Sequence, residues 1–250
     1  MNNIKEAAVN AGIKKANFSA LNQFILGILA GAFIAFGSQA ANMISHAINN
    51  PALAKFIAGL IFPAGLILVV LAGAELFTGN CLMIMALLEK KITLKKLLRS
   101  WIIVYIGNLL GGIFIAFLIS KSGQLNNELL KEFTIKAAKN KISLSFCNAF
   151  ILGLLCNWLV CLAVWLTFGA SDTAGKILAI FFPIWLFVAS GFEHSVANMY
   201  YIPAGIFAGG EGVAWGAMFT KNLLPVTLGN IVGGAVFVGF IYWLVNKKHL

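Results

Sequence analysis

Long apolar runs separated by short polar intervals organise this chain. With about 20 apolar residues as the length of a helix that crosses a bilayer, the runs fall near residues 21–45, 56–88, 97–119, 143–168, 176–209 and 222–245. The second and fifth are too long for one plain span. Polar residues and glycines interrupt each in its middle, which predicts two half-helices in each. The sharpest interruption is FVASGFEHSVAN, Phe187 to Asn198, where Glu193 and His194 stand side by side in apolar sequence. Ionisable groups at that depth are costly and mark a cavity or a pathway. Gly191 and the small polar Ser190, Ser195 and Asn198 suit a helix that unwinds there, because freed backbone groups need local partners. One continuous helix with a salt-bridged acid buried in the bundle is the plainer alternative.

Internal repetition argues for the broken helix. FILGILA at 24–30 returns as FILGLLC at 150–156, and GAELFTGN at 73–80 returns as GFEHSVAN at 191–198, so both interruptions read GxExxxxN. GNLLGG at 107–112 answers GNIVGG at 229–234, and Pro63 precedes the first break as Pro183 precedes the second. Each half, about 21–119 and 143–245, holds an odd number of spans, so the second half enters the membrane from the opposite side. The expectation is one domain over residues 1–250, all-α, with an inverted repeat whose broken second and fifth helices face each other near the midplane. Half-helix N-termini there present partial positive charge to an anion. Asn108 and Asn230, in the GN pairs, are amides that need partners, and one of them could line the pore.

Composition agrees with a membrane protein: 60% hydrophobic residues, 10% charged and a mean hydropathy of +0.92, against about 25% charged in a soluble domain. The first twenty residues carry Lys5, Lys14 and Lys15 without a short apolar core and cleavage site, so no cleaved signal is expected. A net charge of +10 suggests nucleic acid, yet the basic residues lie between apolar segments without interleaved aromatic platforms. Orientation explains them better. With both termini cytoplasmic, eleven of the 18 Lys and Arg residues are inside: Lys5, Lys14, Lys15, the cluster from Lys90 to Arg99, Lys176, Lys247 and Lys248. The interval 121–141, which also holds Glu128 and Glu132, reads as an amphipathic surface helix with mostly solvated lysines.

Candidate chemistry is sparse. Cys81, Cys147, Cys156 and Cys161 form no CxxC and imply neither a disulfide framework nor a zinc site. There is no HExxH, and His46 and His249 fall near segment ends, which leaves an intramembrane metalloenzyme without ligands. No metal and no cofactor are expected. Asn50-Pro51-Ala52 spells the water-channel tripeptide once, outside both breaks, and reads as a turn.

GAELFTGN, ASGFEHSVANMYYIPAG, Lys141 ahead of the fourth span and LLPVTLGNIVGG strongly resemble the formate/nitrite transporter family over essentially the whole chain. The FEHSxANM stretch is highly specific. The resemblance implies an aquaporin-like six-span bundle, a homopentamer with one pore per protomer in the cell inner membrane, and transport rather than catalysis. Its substrates are small monovalent anions of weak acids: formate first, with nitrite and hydrosulfide as alternatives. It implies a central His194 faced by Thr78, and Lys141 near the pore. Phe62, Leu66 and Leu76 then form one apolar constriction and Phe187 contributes to the other, with Glu193, Asn198 and Asn230 as polar support. Lys141 is a hydrated point charge suited to gathering anions. An imidazole ordinarily titrates near neutral pH, so His194 is expected to donate a hydrogen bond to an anion or hand over a proton, with Thr78 selecting the ring's tautomer. Two accounts follow: His194 hands a proton to the anion or relays one, or it only hydrogen-bonds an anion that crosses charged. Glu193 is expected to pair with unwound backbone amides.

Overall fold

A computed structural model describes residues 2–247. Lys248 and His249 of the sequence argument lie outside the described residues. All regular structure among those residues is helical, in the order α1 (Asn2–Ala16), α2 (Ala20–Ser45), α3 (Pro51–Ala72), α4 (Phe77–Leu88), α5 (Leu94–Lys121), α6 (Glu128–Ile142), α7 (Phe146–Thr167), α8 (Thr173–Ala189), α9 (Ser195–Phe207) and α10 (Trp215–Val245). α2, α3, α5, α7 and α10 are each long and apolar enough to cross a membrane. The second span continues beyond α3 as α4 after a break at 73–76, and the fifth is α8 plus α9 around a break at 190–194. The architecture is the expected aquaporin-like bundle.

The helices begin where the sequence supplies caps. The Ser19 hydroxyl accepts from Asn22 N and the Ser145 hydroxyl from Asn148 N, so the first spans of both halves open on the same device. Asn50 accepts from the amides of Ala52 and Leu53 at 2.9 and 3.2 Å with Pro51 in the first turn, so the isolated tripeptide is a helix start. The interval before the fourth span is the surface helix α6, capped by Asn127 and carrying Lys141 in its last turn. α1, which the apolar pattern leaves unmarked, packs Ala8, Val9 and Ala16 into a cluster with Leu82, Met83 and Ala86 of α4.

Each break turns on a glycine in left-handed conformation, Gly73 at φ 81° and Gly191 at φ 71°, a region that side chains with a Cβ rarely adopt. Beyond them the chain runs extended through Leu76 (φ −106°) and His194 (φ −109°) before each helix resumes. The freed backbone groups are paired in matching ways. Glu75 N donates to Leu26 O and Glu193 N to Leu152 O, both at 3.2 Å and both within the repeated FILG motifs. In one respect the halves differ: α10 widens to a π-helix over Val232–Phe240, whereas α5 is regular. Large apolar residues such as Ile102, Phe114, Leu178 and Phe182 are more than half exposed on the protomer's flank, as lipid or a neighbouring subunit requires.

Candidate functional site, a polar centre between two apolar constrictions

The two glutamates of the GxExxxxN motifs build matching polar nodes on opposite sides of the breaks. On the α6 side, called outer below, Lys141 Nζ donates to Glu193 Oε1 at 3.0 Å, and Asn198 Nδ2 donates to Glu193 Oε2 at 2.6 Å. On the α1 side, called inner below, Lys15 Nζ donates to Glu75 Oε1 and Asn80 Oδ1, both at 2.8 Å, and Asn80 Nδ2 donates to Glu75 Oε2 at 2.7 Å. Both carboxylates are buried, and a buried charge persists only when paired and hydrogen-bonded. Glu193 is therefore satisfied by side chains, with Asn222 Nδ2 a further donor at 3.4 Å. The expectation of backbone amide partners does not hold for it.

That backbone role belongs to the asparagines of the two GN pairs. Asn230 accepts from Ser195 N at 2.9 Å and donates to Gly153 O and Glu193 O at 2.7 and 3.0 Å. Asn108 does the same in the other half, accepting from Phe77 N and donating to Gly27 O and Glu75 O. Both are fully buried and brace the broken strands, so neither is free to line a pore.

Between the nodes the symmetry is broken. The position of His194 in one break is Leu76 in the other, and that of Thr78 is Val196. One histidine and one threonine thus meet at the centre, Thr78 Oγ1 lying 2.9 Å from His194 Nε2. The proton on the ring can be placed from its second contact. Ala197 N donates to His194 Nδ1 at 3.0 Å, so Nδ1 holds a lone pair and caps α9. Neutral His194 then carries its proton on Nε2 and donates it to Thr78 Oγ1, which leaves the threonine hydroxyl hydrogen free. An imidazolium would set Nδ1–H against Ala197 N–H.

Apolar residues flank this contact on both sides. Phe62 and Phe187 meet edge to face, ring centres 5.5 Å apart, and Phe187 stacks on His194 at 6.0 Å. Both phenylalanines line an outer cavity of about 360 Å³ together with His194, Glu193 and Lys141. Leu66 and Leu76 line an inner cavity of about 270 Å³ with Lys15, Glu75 and Asn80. Phe62 therefore belongs with Phe187, not with the leucines as the resemblance implied. Positions 62 and 66 lie one turn apart, about 6 Å along the helix axis, which is enough to place them in different cavities.

Lys15 is the residue that sequence reasoning missed, having read it only as an orienting charge. The signal was present. Lys15 and Lys141 each stand nine residues before a FILG motif, at Phe24 and Phe150.

Residues 2–244 match the family described as Formate/nitrite transporter. The chain belongs to the formate/nitrite transporter family. It is 48% identical to the uncharacterized transporter YrhG of Bacillus subtilis (strain 168), over 98% of this chain and 92% of that protein. It is 46% identical to a probable formate transporter of Methanothermobacter thermautotrophicus, over 90% of this chain and 88% of that protein. A solved pentameric formate channel with formate bound superposes with a TM-score of 0.82 at 36% identity, over 92% of this chain and 98% of that one. This formate/nitrite transporter family member is a membrane-spanning transport protein and not an enzyme.

Proposed function

We propose that the protein conducts the small monovalent anion of a weak acid, formate first among them, together with a proton. The observation that carries this reading is the pair of Lys–Glu–Asn nodes flanking a single His194–Thr78 contact, with an aromatic pair and a leucine pair between. The outer cavity, with Lys141 and Glu193 neutralising each other, admits an anion without presenting it a bare carboxylate. At Phe62 and Phe187 the hydration shell is lost. An isolated carboxylate in an apolar setting is far more costly than the neutral acid, so protonation in the vestibule water precedes entry. At the centre the neutral acid exchanges hydrogen bonds with the free Thr78 hydroxyl hydrogen and with His194 Nε2–H, then passes Leu66 and Leu76 to ionise beside Lys15. His194 acts here as a fixed donor. Its Nδ1 is occupied by Ala197 N–H, which favours hydrogen bonding over service as the proton carrier.

We infer further that the working form is a homopentamer, the solved formate channel being pentameric, that each protomer holds one pathway, that it resides in the cell inner membrane, and that both termini are cytoplasmic. Lipid bilayer and the permeant anion are then its partners. Uptake of formate, nitrite and hydrosulfide into proteoliposomes at matched gradients tests the substrate. Faster formate uptake supports the assignment. Preference for nitrite or hydrosulfide transfers it within the same chemistry, and uptake of none of the three overturns it.

A further inference from the structure

The outer cavity holds a second cation that the nodes above do not use. Its lining includes three groups that ionise near neutral pH or below or carry a fixed charge besides this one: Lys141, Glu193 and His194. Lys141 and Glu193 are paired at 3.0 Å, and His194 is held neutral by the cap it makes. The remaining charge is Lys55, on the outer end of α3. Lys55 makes no ion pair and no hydrogen bond among the described residues. Its ammonium lies over the break at Gly191, where a built Cβ would come within 3.2 Å of Nζ. Gly191 thus serves the left-handed turn and also leaves the space that the ammonium occupies.

An independent observation falls on the same cavity. Asn42, on α2, lines it while only 4% exposed, and its Nδ2 has no hydrogen-bond partner among the described residues. A buried amide donor left unpaired forfeits its full desolvation penalty, so an unpaired donor facing a cavity calls for an acceptor there. One turn beyond Asn42, the Ser45 hydroxyl donates to Ala54 O at 3.2 Å. That bond ties the end of α2 to the residue beside Lys55, and both donors line the same vestibule.

We propose that Lys55 and Asn42 form an outer receiving subsite for the small monovalent anion, upstream of the Lys141–Glu193 pair. Lys55 supplies the uncompensated charge and Asn42 the directional hydrogen bond. The proposal rests on the transport reading above and names the residues that set its apparent affinity. The plain rival is that Lys55 only complements the carbonyl end of α8, where a cation is favourable in any case.

The test uses the full-length protein and formate as the probe, in two readouts. Saturation-transfer NMR of formate with the detergent-solubilised protein reports binding, and uptake into proteoliposomes reports transport. Lys55→Gln and Asn42→Ala should each raise the half-saturating concentration about threefold, the size of a partly solvated charge or hydrogen-bond contact. Maximal rate should stay near the parental value. Lys55→Gln should also flatten the dependence of uptake on ionic strength, and Lys55→Arg should restore it. Unchanged binding and unchanged salt dependence in Lys55→Gln would overturn the subsite. A lowered unfolding midpoint with unchanged half-saturation would assign Lys55 to the α8 terminus and overturn it equally. Parental protein that binds formate through Lys55 but transports no anion would sink the transport reading while leaving the subsite standing.

Discussion

Replacing Asn230 by alanine tests whether the breaks are held by the asparagine braces. The change removes three hydrogen bonds at a fully buried position and orphans Ser195 N–H, Gly153 O and Glu193 O. Each unpaired buried group costs about 1–3 kcal/mol. The two carbonyls retain a second lone pair, so the lower end applies to them, and the sum is about 3–4 kcal/mol. That is a large share of the 5–15 kcal/mol typical of a folded domain. The damage is local as well, because Ser195 follows His194 directly and opens the helix that the histidine caps. Thermal unfolding in detergent should show a clearly lowered midpoint, and anion uptake should fall with it. Asn230→Asp should be equally harmful: it keeps an acceptor for Ser195 N but turns carboxylate lone pairs toward two carbonyls. Asn108→Ala should match, since Asn108 braces the other break in the same way. A midpoint within about 1 °C of the parent, well below the shift that a 1 kcal/mol loss produces, together with parental uptake, would refute the brace.

Lys141→Gln should lower uptake about five- to tenfold, the effect of one uncovered Glu193 charge seen across the vestibule with partial salt screening; the double variant with Glu193→Gln should recover much of the loss, and failure to recover would place Lys141 itself on the anion. At the α1 face Lys5 is paired with Glu89 at 2.6 Å, and Trp243 Nε1 donates to the same carboxylate at 2.9 Å. The hydrogen bond from Lys5 foremost, then the nearby charges of Lys5 and Lys91 and the bond from Trp243, hold Glu89 below the usual carboxylate range despite some burial. A lowered folded pKa stabilises above the ordinary carboxylate pKa and is lost as pH falls through the folded value. Docking of α1 should therefore weaken only in acid, read as faster proteolysis near Lys5 below about pH 4. Glu89→Gln should show that susceptibility at neutral pH.

Much of this architecture was legible in the chain because a bilayer leaves few choices. The 73–80 and 191–198 interruptions could be placed because glycine, a carboxylate and an amide have no other use inside an apolar run, and the structure breaks at 73–76 and 190–194 within them. Thr78, His194, Lys141, Glu193 and Asn198 were nameable individually, and the fold brings Thr78 onto His194 and both Lys141 and Asn198 onto Glu193. What escaped was the pairing. Lys15 sits in a helix of small, polar and a few basic residues that looks like an orienting flank, and only its register against the FILG motif shows its equivalence to Lys141. Phe62 was grouped with Leu66 because four residues place two side chains on one face of a helix; the same four residues separate them by about 6 Å along the axis, and the two line different cavities. The occupied Nδ1 of His194 depends on the extended backbone at the break, which residue types alone do not specify.

The proton's carrier is the central claim. Formate uptake measured against external pH in proteoliposomes, for the parental protein and His194→Asn, tests it most directly. If the acid is protonated in vestibule water and His194 is a fixed donor, the variant takes up formate more slowly but with the parental rise toward low pH. A variant whose uptake no longer responds to pH while an anion current persists would make His194 the proton carrier and contradict the account.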